Sequence, residues 1–337
     1  MSKFFVLILI FSVSFTFGRT IFSGVITENT WWSAAGNPYI LTNDVIVAPN
    51  ARLVIEPGVV VIVERPIRIP EGIHQIDHLD SFTTSIKVYG SIYALGTPTN
   101  PIIFKGSNVS DEDIYTHWFG IYIDSRRTQE IVIGYATISS AANGIWVRNG
   151  RPMIRNVLFE FNNTGLRLEN RSDARVVHCV FAKNFLTGIR VLDSNPFIFN
   201  SIITSNNAMG IWGDRLTKIE LRNNIFFDNG RNFVDVDPLF GINSRVNANG
   251  DSTDFVGNMV LDPIFAGSVR EETIRASGRP ARTPMSSNIF NEIADTRYFL
   301  SPFSPAIDAG VGDRMFREPD GSLPDLGIWG GAEIIRF

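Results

Sequence analysis

Five columns of residues recur through the middle of this chain at intervals of 21 to 24 positions, and that period constrains the fold more than any other feature. Gly120, Gly144, Gly165, Gly188 and Gly210 each precede an Ile or a Leu. Asn156, His178, Asn200 and Asn223 form a second column, and Ile154, Val176, Ile198 and Leu221 a third. Phe159, Phe181, Ile203 and Phe226 keep the same spacing, as do Asn162, Asn184, Asn206 and Asn229. A helical unit would carry an apolar stripe at helical spacing. Instead, stretches such as Gly165-Leu166-Arg167-Leu168-Glu169 alternate apolar and polar, punctuated by Asn and Gly. Two or three short strands in such a unit make one coil of a parallel β-helix. Its coils stack about 4.8 Å apart, so each column becomes a row along the axis.

The period explains an odd composition. Of 27 Asn, 18 fall between Asn143 and Asn249. Asn tolerates the left-handed backbone of sharp corners, and stacked amides can bond in ladders. Both Asn columns are therefore expected at corners, with His178 a substitute rung and Cys179 a small core residue in the same short strand. The single cysteine excludes a disulfide framework and a Cys-rich zinc site. A net charge of −4 argues against nucleic acid as partner.

Organisation follows from where the pattern holds. Residues 1–18 read as a signal peptide, with Lys3 before an apolar run from Phe4 to Phe17 and small residues before Arg19. The expectation is a secreted, extracellular or periplasmic protein with no membrane span after cleavage. Residues 19–337 read as one domain. Within it, 19–50 form an N-terminal cap and first coil, and 51–235 regular coils with an excursion at 70–84. Residues 236–337 form irregular last coils, excursions and a C-terminal cap.

Several stretches resemble a known group. They are Trp31-Trp32-Ser33-Ala34-Ala35-Gly36-Asn37-Pro38-Tyr39, Leu53-Val54-Ile55-Glu56-Pro57-Gly58-Val59, Ala94-Leu95-Gly96-Thr97, Trp118-Phe119-Gly120-Ile121, Asp237-Pro238-Leu239-Phe240, Ser304-Pro305-Ala306-Ile307-Asp308-Ala309-Gly310 and Asp325-Leu326-Gly327-Ile328-Trp329-Gly330-Gly331. Over residues 25–335 the chain resembles the bacterial secreted right-handed parallel β-helix repeat proteins of the pectate-lyase-like superfold. The resemblance implies an all-β, single-stranded right-handed parallel β-helix with coils of about 22 residues, capped ends and surface excursions. Its members include lyases, hydrolases and adhesins, so it specifies fold and not activity. Lyases of the group use a Lys or Arg base beside calcium. No lyase motif carries over, and beyond the leader only Lys87, Lys105, Lys183 and Lys218 are present.

Alternation separates inside from outside. If the residue after each repeat Gly points inward, the next column points out: Tyr122, Trp146, Arg167, Arg190 and Trp212, with Asp124, Arg148, Glu169, Leu192 and Asp214 beside it. Exposed aromatics suit stacking on sugar rings, and Arg pairs with uronate or sulfate. Tyr122, Trp146, Arg167, Arg190, Trp212, Asp124 and Arg148 are thus candidate ligand-binding residues for a polysaccharide or cell-surface glycan. The competing reading covers the aromatics with loops and leaves Arg167 and Glu169 as a surface pair. Glu169, Asp193 and Asp214 are the weak catalytic candidates, an inverting glycosidase pair being just within reach by coil spacing. Among metal candidates, His74, Asp77, His78 and Asp80 suit zinc only if helical. Asn247, Asn249, Asp251 and Asp254, and Asp308, Asp313, Asp320 and Asp325, offer oxygen clusters for which calcium is the candidate cation; no cofactor is otherwise implied. The leading function is a polysaccharide-binding module. The alternatives are a lyase or glycoside hydrolase acting on acidic glycans, and a structural or adhesive surface protein.

Overall fold

The computed structural model describes residues 18–64, 84–107, 117–214, 217–268, 280–284, 297–312 and 317–331. Apart from the antiparallel pair Arg245–Val246 and Ser252–Thr253, their strands wind into a parallel β-helix of about eight turns, each bonded to its counterpart one coil away. Sheet I contains Ser85–Val88, Trp118–Asp124, Ala141–Asn149, Thr164–Leu168, Thr187–Val191, Met209–Trp212 and Arg231–Val234. Sheet II contains Arg52–Ile55, Ser91–Leu95, Arg175–Val177, Phe197–Phe199 and Glu220–Arg222. Sheet III contains Val60–Val63, Ile102–Gly106, Val180–Ala182, Ile202–Thr204 and Ile225–Phe227. The long strands Ile131–Ser139 and Met153–Glu160 bend from sheet II into sheet III.

Strands of three to five residues have no stability of their own. They are held by inward rows that fill the bore: Ile145, Leu166, Ile189 and Ile211 from sheet I, Ile154, Val176 and Ile198 from sheet II, and Phe159, Phe181, Ile203 and Phe226 from sheet III, all fully buried. Each such side chain contributes roughly 1.5–3 kcal/mol of burial. Phe159 and Phe181 stack with ring centres 4.6 Å apart and planes nearly parallel.

The glycine column has one irregularity. Gly120 pairs with Asn143, and Ile121 with Ile145, so Gly144 is an inserted residue at this step. A Cβ on Gly120 would lie 1.6 Å from the Asn143 carbonyl oxygen, and its φ of 119° favours glycine. From Gly144 onward the column is in register with Gly165, Gly188 and Gly210.

The two Asn columns do different work, which corrects the expectation that both are corner rungs. Between sheets II and III, Asn156, His178, Asn200 and Asn223 are themselves left-handed, with φ of 50–54°. At the next corner the left-handed residues are Phe161, Lys183, Ser205 and Asp228, each just before its Asn. Asn162, Asn184, Asn206 and Asn229 point inward and form the amide ladder, Asn184 donating to Asn206 at 2.8 Å and Asn206 to Asn229 at 2.8 Å. A second inward row follows the first corner: the Cys179 N–H donates to Ser201 Oγ, the Ser201 N–H to Asn224 Oδ1, and Asn224 Nδ2 to Asn258 Oδ1. Cys179 therefore lies in a turn and occupies a rung position, not a strand position. Burial pushes its thiol up to about 12.

The ends of the stack are closed by the chain itself. Thr20–Ile26 and Thr30–Trp32 are already ladder strands, and Phe22 packs on Trp32, which stacks on Tyr39. At the far end Phe226, Phe233, Phe240 and Phe255 form a chain of ring contacts over the core. The described part of the last 40 residues does not cap that end. Tyr298, Leu300, Ala306, Ile307, Leu326 and Ile328 run along the side of the coils, covering Leu158, Val180, Ile202 and Ile225 on the outer surface of sheet III. The left-handed corner residues anchor this strap. Asn223 Nδ2 donates to the Ala309 carbonyl, Asn200 Oδ1 accepts from the Val311 N–H, and Asn156 Nδ2 reaches the Ile328 and Gly330 carbonyls.

Residues 1–17, the 70–84 excursion apart from Thr84, and residues 269–279 and 285–296 lie outside the described residues, as do His74, Asp77, His78, Asp80 and Asp313. No helix among the described residues is long and apolar enough to cross a membrane.

Candidate functional site

Sheet I places the expected outward row in one line. Lys87 pairs with Tyr122, Tyr122 with Trp146, Trp146 with Arg167, Arg167 with Arg190, and Arg190 with Trp212. All five residues from Tyr122 to Trp212 are half-buried. What covers them is the row itself. The Arg167 guanidinium lies over the Trp146 ring at 4.1 Å, and that of Arg190 over Trp212 at 4.4 Å. Trp146 meets Tyr122 edge to face at 5.2 Å, with Phe119 at 5.7 Å behind it. Its indole Nε1 donates to Glu169 Oε2 at 3.1 Å, while Arg167 Nε donates to Glu169 Oε1 at 2.6 Å. Glu169 thereby locks both neighbours. The Arg167 charge is already matched, so it is not a free receptor for an anion.

The flanking column departs from expectation at one point. Asp124 pairs with Asn149, because the register shifts between Val147 and Asn149, and Arg148 bulges outward. Arg148 nevertheless returns to the row, donating to the Tyr122 hydroxyl, which in turn bonds Asp124 Oδ2 at 3.3 Å. Burial pushes the Tyr122 phenol up and the Asp124 charge adds to it, while the bond from Arg148 opposes both. Asp193 sits in a left-handed turn, and its N–H donates to Asp214 Oδ2 at 2.8 Å. Asp214 Oδ1 accepts from the Thr217 N–H. Of the three catalytic candidates, Glu169 and Asp214 thus hold structural hydrogen bonds.

The oxygen clusters are engaged in the same way. Asp254 accepts from the N–H groups of Val256, Asn258 and Gly241 and from Asn258 Nδ2. Asn249 donates to the Ile307 carbonyl, and the Asp251 N–H to Asn247 Oδ1. Asp325 Oδ1 accepts from the Asp308 N–H, and Glu318 Oε1 from the Asp325 N–H. Burial, with the Asp325 charge beside it, pushes Glu318 up to about 8, and burial also raises Asp308. Ser322 holds Asp320 below the usual carboxylate range. No three His, Cys, Asp or Glu side chains converge on a metal position among the described residues.

Sequence reasoning missed a second feature. A groove of about 740 Å³ runs along the leading edge of sheet II. Its floor is the outward row Val132, Met153, Arg175, Phe197 and Glu220, each paired with the next. The signal was present: these residues immediately precede or flank the Ile154, Val176, Ile198 and Leu221 column, so alternation turns them outward.

Residues 94–259 match the family model for the right-handed β-helix region. No curated protein and no solved structure matches the chain.

Proposed function

Since residues 94–259 match the right-handed β-helix family model, we propose that the chain is a polysaccharide-binding protein whose sheet I row receives sugar rings. The observation that carries this reading is the rigid aromatic row. Trp146 is fixed by Glu169 at its nitrogen and by Arg167 on one face, and Trp212 is held by Arg190. A ring already fixed in place loses little conformational freedom when a ligand stacks on it. Coil spacing repeats the platform along the axis, as a linear polymer requires. Arg148, Asp124 and Glu169 supply donors and acceptors for hydroxyl groups. The apolar leader read from residues 4–17 supports action outside the cytoplasm, secreted or periplasmic.

Trp146→Ala and Trp212→Ala are each expected to weaken glycan affinity roughly threefold to tenfold, the equivalent of about 0.5–1.5 kcal/mol of stacking. Affinity electrophoresis through gels holding a panel of neutral and acidic glycans measures this, with thermal melts confirming that the variants fold. Unchanged retardation of both folded variants on every glycan that retards the wild type removes sheet I as the site.

A further inference from the structure

We infer that the sheet II groove is a second, separate binding site, selective for a linear polysaccharide carrying carboxylate or sulfate groups. The charges on its walls are not balanced at random. Every acid lining it already has an arginine partner: Glu130 pairs with Arg52, Asp173 with Arg127 at 3.0 Å and Arg151 at 3.5 Å, and Glu220 with Arg222 at 2.7 Å. Two lining cations, Arg175 and Lys218, have no carboxylate partner among the described residues. Both are exposed. Between them stands Phe197, 37% exposed, with the Arg175 guanidinium 5.9 Å from its ring centre.

Their placement is set by the coil. Arg175 pairs with Phe197, and Phe197 with Glu220, two residues beyond Lys218. The Lys218 N–H bonds the side chain of Asn195, two residues before Phe197. Arg175 and Phe197 thus share one row at about 4.8 Å per coil, and its next member Glu220 is neutralised by Arg222. Lys218 stands on that same next coil two residues to the side, about 6.6 Å across the strands. An extended glycan advances one sugar ring over a comparable distance. A glycan crossing the coils obliquely, with one ring stacked on Phe197, would bring its neighbours' acidic groups to Arg175 on one side and Lys218 on the other. A peptide fits less well. The strands that carry Arg175 and Phe197 are paired on both sides, so neither offers a free edge to an extended backbone. This site stands independently of the sheet I row, whose arginine at Trp146 is already neutralised by Glu169.

The test uses the full chain in affinity electrophoresis at low salt with three probes: alginate for carboxylates, chondroitin sulfate for sulfates, and neutral laminarin. Retardation by alginate, chondroitin sulfate or both is expected, weakening with added salt. The double variant Arg175→Ala/Lys218→Ala should lose at least tenfold in affinity for the anionic probe. The charge-keeping pair Arg175→Lys/Lys218→Arg should retain most of it, and Phe197→Ala should lose severalfold. All these side chains are exposed, and a wild-type thermal melt confirms folding. Binding to neither anionic probe, or equal binding by the Ala double variant, overturns the inference. Trp146→Ala separates the two sites: loss there with the Arg175/Lys218 variant unaffected leaves the sheet I reading standing and removes this one.

Discussion

Asn184→Ala is expected to destabilise the coil stack by roughly 3–6 kcal/mol. Asn184 is fully buried. Its Nδ2 donates to the Phe159 carbonyl at 3.1 Å and to Asn206 Oδ1 at 2.8 Å. Its Oδ1 accepts both the Asn162 N–H at 3.1 Å and Asn162 Nδ2 at 3.2 Å. Removing the amide orphans two donors of the fully buried Asn162, each costing about 1–3 kcal/mol. The Phe159 carbonyl loses a partner as well. The end rung provides the control. Asn229 is part-exposed, so water can replace its bonds, and Asn229→Ala should cost only about 1 kcal/mol. Because coils couple mainly to neighbours, a global melt can dilute the effect. Hydrogen exchange of the Asn162 and Asn184 amides is the sharper readout, protection at Asn162 falling by two or more orders of magnitude in Asn184→Ala. Equal exchange in the two variants would mean that the ladder is decoration.

How far the sequence discloses this molecule depends on whether the residues concerned share the coil period. The inward rows do: Phe159, Phe181, Ile203 and Phe226 repeat because each must fill the same slice of bore, and a periodic requirement leaves a periodic trace. The sheet I row is legible for the same reason, since Tyr122, Trp146, Arg167, Arg190 and Trp212 keep one place relative to the glycines. Arg148 is misplaced because a one-residue bulge shifts the register without altering composition. The strap is invisible, because Asp325 meets His178 across 147 residues and its own sequence has no period. The groove of sheet II lies between these cases. Its row was periodic, but its function rests on which cations lack partners, and the arginines that satisfy Glu130 and Glu220 are set by side-chain reach.

The strap should be held most firmly over a plateau between about pH 4.5 and pH 6.5, lost on both sides for opposite reasons. His178 is fully buried under it. Asn200 Nδ2 lies 3.3 Å from His178 Nε2 and must donate to it, so the proton sits on Nδ1 and is donated to the Asp325 carbonyl at 3.0 Å. Burial of this neutral ring pushes its pKa from 6.5 down to about 3. The unfolded chain therefore binds more protons between those values, and stability rises with pH across that window. Acidification from 6.5 towards 3 removes that contribution, with a ceiling of roughly 5 kcal/mol. Glu318 runs the other way. Its carboxyl, raised from 4.5 to about 8, stays protonated in the folded chain while the unfolded one ionises, so stability falls as pH climbs from 4.5 to 8. Between 4.5 and 6.5 the two slopes oppose. Urea unfolding followed across pH, with hydrogen exchange of the Val311 N–H bonded to Asn200 Oδ1 as local reporter of the strap, should show this flat top. His178→Asn places a left-handed-tolerant amide at the same corner and should flatten the acid limb, leaving stability falling from about pH 4.5 to 8 with no plateau. Glu318→Gln should flatten the alkaline limb, leaving stability rising from about pH 3 to 6.5. An acid limb unchanged in His178→Asn would assign the loss to other groups and remove the buried imidazole as its cause.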